Sequence, residues 1–508
     1  MSIEVHMKKK QSIECDSFFD DMNSLRLALE FDDVTIKTRE TDVMPTDVNV
    51  ETKFSRNVGL KSAIVSAAMD TVTESRLAIA LAKLGGIGVI HRNLTPDEQA
   101  IQVRQVKRHL NGLIESPITV KADETIESIL ARRAERGYTF DKFPVIENGY
   151  LVGIITKDDL EFYDNVSKTA AQVMTTELVT AGPNTTLREA YDTMRSRKKK
   201  ALPLVNERNE LVGMYDFSDV KRLVSGGNTS FNLDAHGRLR VAAAVGVLKE
   251  AYDHIAQFPN DIDAIVIDTA HGDSKNVFDT VRSLKKDGGV TFDIVVGNVT
   301  EPESVKRLLD LGIDGIKVGQ GPGSICTTRI VAGVGCPQLT AIHNCARMVR
   351  GTDVPIIADG GICESGDIPK AIVAGADSVM IGRLFAGCEE APGETFAHHS
   401  GRMKKYRGMG SLGAMQSRGG RERYGQGEVP HEKLVPEGIE GAVPYRGMLA
   451  DVVHQLLGGL RSSMAYVGAH TIPDLQQRGN FHRVTQNGVN TSHPHDVMMV
   501  ADAPNYRR

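Results

Sequence analysis

Eight times along its 508 residues the chain repeats one phrase: a short Val/Ile-rich run, a polar or glycine-rich loop, then a helical stretch. The runs are Ala63 to Ser66, Gly86 to Ile90, Arg240 to Val245, Ala264 to Ile267, Ile294 to Val296, Gly315 to Val318, Pro355 to Ala358 and Ser378 to Ile381. Short apolar runs alternating with helices are the pattern of parallel strands covered on both faces. Eight of them favour an α/β fold of the (β/α)₈ TIM-barrel type, with a doubly wound open sheet as the alternative.

Between the second and third runs the rhythm changes, and two segments resemble each other at an offset of about 60 residues. One carries Phe143-Pro144-Val145-Ile146 and Leu151-Val152-Gly153-Ile154-Ile155; the other carries Leu202-Pro203-Leu204-Val205 and Leu211-Val212-Gly213-Met214-Tyr215. Each reads as a helix, a hairpin of β-branched runs around a polar turn, and a second helix. The pair resembles tandem CBS modules. It is expected to occupy residues 113–224 and to divide the barrel into 1–112 and 225–508.

Sixty basic against 65 acidic side chains, a net charge of -5, exclude a nucleic-acid surface as the main business of the chain. The longest nearly apolar run, Leu77 to Ile90, contains Lys83 and falls short of a membrane span. Lys8 to Lys10 are followed by Gln11 and Ser12, not by an apolar stretch, so no secretory leader is expected and the cytoplasm is the default compartment. Six cysteines without a C-x-x-C pair argue against both a disulfide framework and a zinc site. Residues 1–24 and the tail beyond Tyr506 are expected to be peripheral.

In a barrel, chemistry sits in the loops that follow the carboxyl ends of the strands. The most informative is Gly319-Gln320-Gly321-Pro322-Gly323-Ser324-Ile325-Cys326-Thr327-Thr328-Arg329. Its glycines let main-chain groups approach a ligand, and a thiolate at Cys326 would be a nucleophile. On spacing alone, a phosphate cradle with an inert cysteine is an equal reading.

As a whole, the loop resembles the active-site loop of the inosine 5'-monophosphate dehydrogenase family. The likeness extends to Leu29-Glu30-Phe31-Asp32-Asp33-Val34, Ser66 to Glu74, Gly85 to His91, Tyr406 to Ser411, Lys433 to Gly441 and Ser492 to Asp496. The resemblance implies that Cys326 adds to C2 of the purine, that hydride passes to NAD, and that water then releases xanthosine 5'-monophosphate. It makes Thr328 the holder of that water. Arg423, assisted by Tyr424, becomes its general base on a mobile flap within residues 412–440.

The same resemblance places the substrate phosphate and its surroundings at Ser324, Gly360, Gly361, Gly382, Tyr406 and Gly408. Phosphate binding by the last barrel loops and a helix N-terminus is also a physical habit of such folds. Asp359 takes the ribose hydroxyls, while Met69, Met409, Gly410 and Glu437 surround the base. Arg383 stands where the family often has a small residue, and either adds a cation there or points outward. NAD is expected against Asp268, Thr269, Ala270, Asn298, Gly319 and Gly321, with His271 on its adenosine side. A potassium ion is expected on the carbonyls of Gly321, Gly323 and Cys326, with Thr491, Ser492 and His493 supplied by a neighbouring copy. That sharing implies a homotetramer, with an octamer as the larger possibility. Thr491, where the family is usually acidic, and Gly425, where it is usually aromatic, are departures.

In the CBS pair, Thr156-x-x-Asp159 resembles a ribose-reading position, which implies adenine or guanine nucleotides as ligands; Asp216-x-x-Asp219 departs from it. Arg195, Arg197 and Lys198 to Lys200 read first as a solvated face. Two rival functions remain: guanosine 5'-monophosphate reductase using NADPH, and a silent CBS nucleotide sensor. Against the first stand the Arg423-Tyr424 pair and Leu412, where that family has a glutamate; against the second stands the retention of Cys326 and Thr328 beside that pair.

Overall fold

The computed structural model describes residues 13–109, 113–114, 117–135, 142–161, 167–224, 230–258, 262–286, 290–417, 423–426, 429–500 and 503–506. The expectations for Lys8 to Lys10 and the chain end after Tyr506 lie outside these, as do parts of the flap and residues 112 and 225, which adjoin the expected module boundaries. The described chain forms two compact units, Arg108–Thr229 and the remainder.

All eight runs are strands: β1 (Ile64–Ser66), β2 (Ile87–Ile90), β3 (Val241–Val245), β4 (Ala264–Asp268), β5 (Asp293–Val299), β6 (Gly315–Val318), β7 (Ile356–Asp359) and β8 (Ser378–Ile381). They pair in parallel in chain order, β8 returns to β1 through Met380 and Val65, and the sheet closes into a barrel. The open-sheet alternative is thereby excluded. β2 meets β3 with Val89 opposite Ala242, so the second unit interrupts the chain between neighbouring strands.

Strand side chains alternate between faces. One set packs together as the barrel interior: Val65, Ile87, Val89, Ala242, Ala244, Ala264, Val266, Val295, Ile357 and Met380. Phe54, Val58 and Leu60, from the hairpin of Thr52–Lys53 and Gly59–Leu60, join the same cluster. The opposite set meets the helices, such as α1 (Ser75–Lys83), which buries Leu77, Ala78, Leu81 and Ala82. Each large aliphatic side chain so buried contributes about 1.5–3 kcal/mol. Among the described residues, no helix is long and apolar enough to cross a membrane.

The N-terminal segment is not peripheral from Cys15 onward. Residues Asp16–Ser24 form a helix that buries Phe19, whose ring stacks on His343 at 3.9 Å, and Asp16 receives both Arg350 guanidinium nitrogens at 2.6 and 2.7 Å. An aromatic pair and a bidentate ion pair anchor a segment whose polar composition reads as a tail.

In the smaller unit each half builds its own antiparallel hairpin, Phe143–Glu147 with Tyr150–Ile155 and Ala201–Val205 with Leu211–Asp216. Each hairpin has a separate core, around Phe143 and Val145 in the first half and around Leu202 and Tyr215 in the second. Thr156 bonds Asp159 through both its amide (2.8 Å) and its hydroxyl (2.9 Å), closing the start of a helix. Lys198, Lys199 and Lys200 border a cavity of about 370 Å³ with Lys142, Thr156 and Lys157, so the basic run is not simply a solvated face.

Candidate active site

The barrel register puts Asp268, Gly297 and Lys317 side by side on β4, β5 and β6. Alternation turns all three toward the interior, above the apolar layer of Val266, Val295 and Ile357. Lys317 is buried, with its ammonium 3.1 Å from Asp268 and 2.6 Å from Asp359 at the end of β7. It also donates to the Asn298 side-chain carbonyl, while the Asn298 amide donates to Asp359 at 2.9 Å and to the Gly319 carbonyl at 2.6 Å. Buried charges are tolerable only when paired in this way. The two aspartates, expected from sequence as ribose and cofactor contacts, are therefore held by charge.

Above this layer lies the loop of Gly319 to Arg329. Gly319 (φ +142°) and Gly321 (φ +80°) adopt backbone conformations that side chains disfavour, and a Cβ at Gly321 would meet Arg329 at 2.5 Å. Arg329 pins the loop by donating to the Gln320 carbonyl at 3.1 Å and the Cys336 carbonyl at 2.6 Å, and by pairing with Glu30. Cys326 is half-buried, its Sγ 3.2 Å from the Thr328 hydroxyl. The helix Thr328–Val331 is preceded by Thr327 at its cap position, so the Thr328 hydroxyl is left to face the thiol. The amide of Thr327 donates to the Glu437 carbonyl at 3.0 Å, joining this loop to the far end of the 412–440 segment.

On the far side, Tyr406 is buried with its hydroxyl 3.8 Å from the Met69 sulfur and hydrogen-bonded to Ser324; burial pushes the phenol up to about 12. Gly382 is bare where a Cβ would stand 3.1 Å from both Met69 and Tyr406. Gly360 (φ +92°) and Gly361 (φ +84°) lie against Pro322 of the cysteine loop. Arg383 lies near Cys363, and its charge also faces Tyr406 and Glu364.

The described part of the flap reaches into the same space. The Arg423 guanidinium pairs with Asp268, its carbonyl accepts from the Ala270 amide at 3.2 Å, and it hydrogen-bonds Tyr424. Burial lowers the guanidinium and raises the Tyr424 phenol. Gly410 lies under the tyrosine ring, where a Cβ would sit 2.6 Å from it. The cavity, about 140 Å³, is lined by Met69, Asp268, Thr269, Ala270, Asn298, Lys317, Gly319, Gly321, Gly323, Cys326, Thr328, Asp359, Gly360, Tyr406, Gly408, Met409, Arg423, Tyr424 and Glu437, among others.

Sequence reasoning missed Lys317 and Gln320. Gln320 donates to the Ala270 carbonyl at 3.1 Å and accepts from Thr300 at 3.1 Å, tying three barrel loops together. A lysine inside a Val/Ile run was the available signal for Lys317. Within this chain Thr491, Ser492 and His493 do not line the cavity; His493 bonds the Tyr506 hydroxyl at 3.0 Å, and the Thr491 hydroxyl turns back to the carbonyls of Asn487 and Gly488.

Comparison with known proteins gives the same direction. Residues 28–495 match the IMP dehydrogenase / GMP reductase domain family. An inosine-5'-monophosphate dehydrogenase from Aquifex aeolicus is 49% identical over 487 residues, 95% of this chain and 98% of that protein. One from Helicobacter pylori is 45% identical over 489 residues, 96% of this chain and 100% of its own. Among solved structures, a cysteine-to-alanine variant of GMP reductase from Trypanosoma brucei, in complex with guanosine 5'-monophosphate, matches with a TM-score of 0.81. It is 38% identical and covers 94% of this chain and 100% of that one. With the family's domain spanning nearly its whole length, the chain belongs to the IMP dehydrogenase / GMP reductase family.

Proposed function

We propose that the protein oxidises inosine 5'-monophosphate to xanthosine 5'-monophosphate with NAD as hydride acceptor. The observation that carries this reading is the meeting of Cys326 and Thr328 with Arg423 and Tyr424 around one cavity. A nucleophile and a second set of polar groups able to orient and deprotonate water suit a reaction in two halves.

In the first half the Cys326 sulfur bonds to C2 of the purine, and the hydrogen on C2 leaves with its electron pair. NAD supplies the acceptor for that hydride. Tyr406, Ser324 and the glycines at 360, 361 and 382 would receive the phosphate, Asp359 would offer acceptors to the ribose, and Glu437 would meet the base; Tyr406, Gly360, Asp359 and Glu437 line the cavity. Arg383 contributes a positive field there while lying near Cys363. In the second half, water held by Thr328 attacks C2, Arg423, released from Asp268 and acting in its neutral form, takes a proton from it, and the carbon–sulfur bond breaks to free the thiol. Arg423 occupies Asp268, the carboxylate expected to hold the cofactor's ribose, so flap and cofactor use this position in turn.

The turn from Gly321 to Cys326, closed by the Cys326 amide on the Gly323 carbonyl at 2.9 Å, would offer the carbonyls of Gly321, Gly323 and Cys326 to a weakly hydrated monovalent cation such as potassium. Thr491, Ser492 and His493 of a second copy would complete the set in a homotetramer, and an octamer is the larger assembly to look for. The lysine-bordered cavity of the smaller unit, read as tandem CBS modules, is the place for adenine or guanine nucleotides. The reading places the protein in the cytoplasm.

The test is NADH formation from inosine 5'-monophosphate, NAD and potassium, beside a Cys326→Ala variant. Turnover by the first and none by the second supports the proposal. NADPH consumption on guanosine 5'-monophosphate, with no NADH formed, would establish the reductase instead, the activity named for the structural relative. Absence of both would leave the nucleotide-sensor reading.

A further inference from the structure

Lys317 is the charged group at the centre of the barrel that the proposed chemistry leaves without a task. It touches neither Cys326 nor Arg423 in any described contact, yet its ammonium bridges Asp268, Asp359 and Asn298. Asp268 carries the flap arginine, and Asp359 lines the same cavity. The two carboxylates meet at one ammonium and are largely shielded from solvent. Like charges in such a space repel, and a cation between them removes that penalty.

Two further features mark the surroundings of this position as tightly built. Gly297, between Asp268 and Lys317 in register, is bare where a Cβ would come within 2.6 Å of the Lys317 Cβ. Asn298 presents its carbonyl to Lys317 and its amide to Asp359, so the amide is oriented by the charges on either side.

We propose that Lys317 is a positioning residue that holds Asp268 and Asp359 as a fixed pair, so that flap docking and ribose recognition are set by one buried ammonium. Removing it leaves two facing carboxylates with one cation fewer, and Asp268 no longer offers Arg423 a fixed partner. The inference rests on the functional reading above for the identity of the ligands, but the docking of Arg423 is independent of them.

The experiment uses the full chain without ligands and follows hydrogen exchange at the Ala270 amide, which donates to the Arg423 carbonyl at 3.2 Å. Lys317→Met keeps the length of the side chain and removes its charge. Exchange at Ala270 is expected to accelerate by about 10-fold or more, the scale of a lost buried pair. In Lys317→Met/Asp359→Asn the excess carboxylate charge is gone, and protection at Ala270 is expected to return toward wild type. The affinity for inosine 5'-monophosphate, measured by calorimetry, stays weak in that double variant because Asp359 is lost. Wild-type exchange in Lys317→Met overturns the proposal. So does equal loss of protection in the single and double variants, which would make the lysine a packing residue. The exchange readout needs no substrate, so missing turnover on inosine 5'-monophosphate counts against the functional reading alone.

Discussion

Gly297 is bare because Lys317 fills its place: a Cβ at 297 would lie 2.6 Å from the lysine Cβ and 2.9 Å from its carbonyl oxygen. The glycine sits in the middle of a buried strand, where its backbone freedom is a cost, so the close approach explains its presence. Gly297→Ala is expected to push β6 away from β5 and to destabilise the barrel by about 1–3 kcal/mol, as overpacking does. Turnover should fall more than the melting temperature suggests, because Lys317 and its two aspartates shift together. Parallel thermal melts and steady-state rates check this.

Gly410 poses a similar constraint for the flap. An alanine there meets the Tyr424 ring at 2.6 Å, so Gly410→Ala should displace Tyr424 while leaving Cys326 and Thr328 in place. Hydride transfer then survives and hydrolysis slows. Rapid mixing should show a burst of NADH close to one per site followed by a reduced steady rate; loss of the burst would place the defect in the first half-reaction instead.

Of the six cysteines, Cys15, Cys345 and Cys388 are buried, and burial raises the thiols of Cys336 and Cys363. Alkylation followed by mass spectrometry should modify Cys326 first. Inosine 5'-monophosphate should protect that residue and not Cys363, since covalent attack and modification use the same sulfur. Protection of Cys363 alone would move the substrate away from the proposed cavity.

Acid should weaken the larger unit. Burial holds His343 and His254 down to about 4, against 6.5 when exposed. Between those values the unfolded chain binds more protons than the folded one, so stability is full above about pH 6.5 and is lost as pH falls toward 4. Each histidine accounts for on the order of 3 kcal/mol. Asp377, raised to about 6 by burial, acts in the opposite sense and offsets part of the loss. Denaturant midpoints at pH 7 and pH 5 should differ, and His343→Phe, which keeps the stack on Phe19, should reduce the difference.

The barrel was legible because a strand buried on both faces is written in consecutive apolar residues, and all eight runs carry that signature. The cysteine loop was legible from its glycines and from the residues around it. Lys317 was not, because a lysine in Gly315 to Val318 has the same local sequence whether it points toward the helices or into the barrel; register with Asp268 and Gly297 decides it. The helix Asp16–Ser24 was missed for a related reason. Its anchors are His343 and Arg350, more than 300 residues away, and no local pattern announces them.

The insertion between β2 and β3 carries a consequence for how the molecule comes into being. Val89 and Ala242 are neighbours in the closed barrel but are separated in the chain by the whole of Arg108–Thr229. A polypeptide leaving the ribosome therefore holds β1 and β2 as an unclosed edge until the insert has emerged. An insert that folds by itself brings its two ends together, so the entropy of closing so long a loop is met before β3 arrives. Mutations that unfold the smaller unit should thus lower the yield of soluble barrel during synthesis, even when they leave the finished enzyme's rate unchanged.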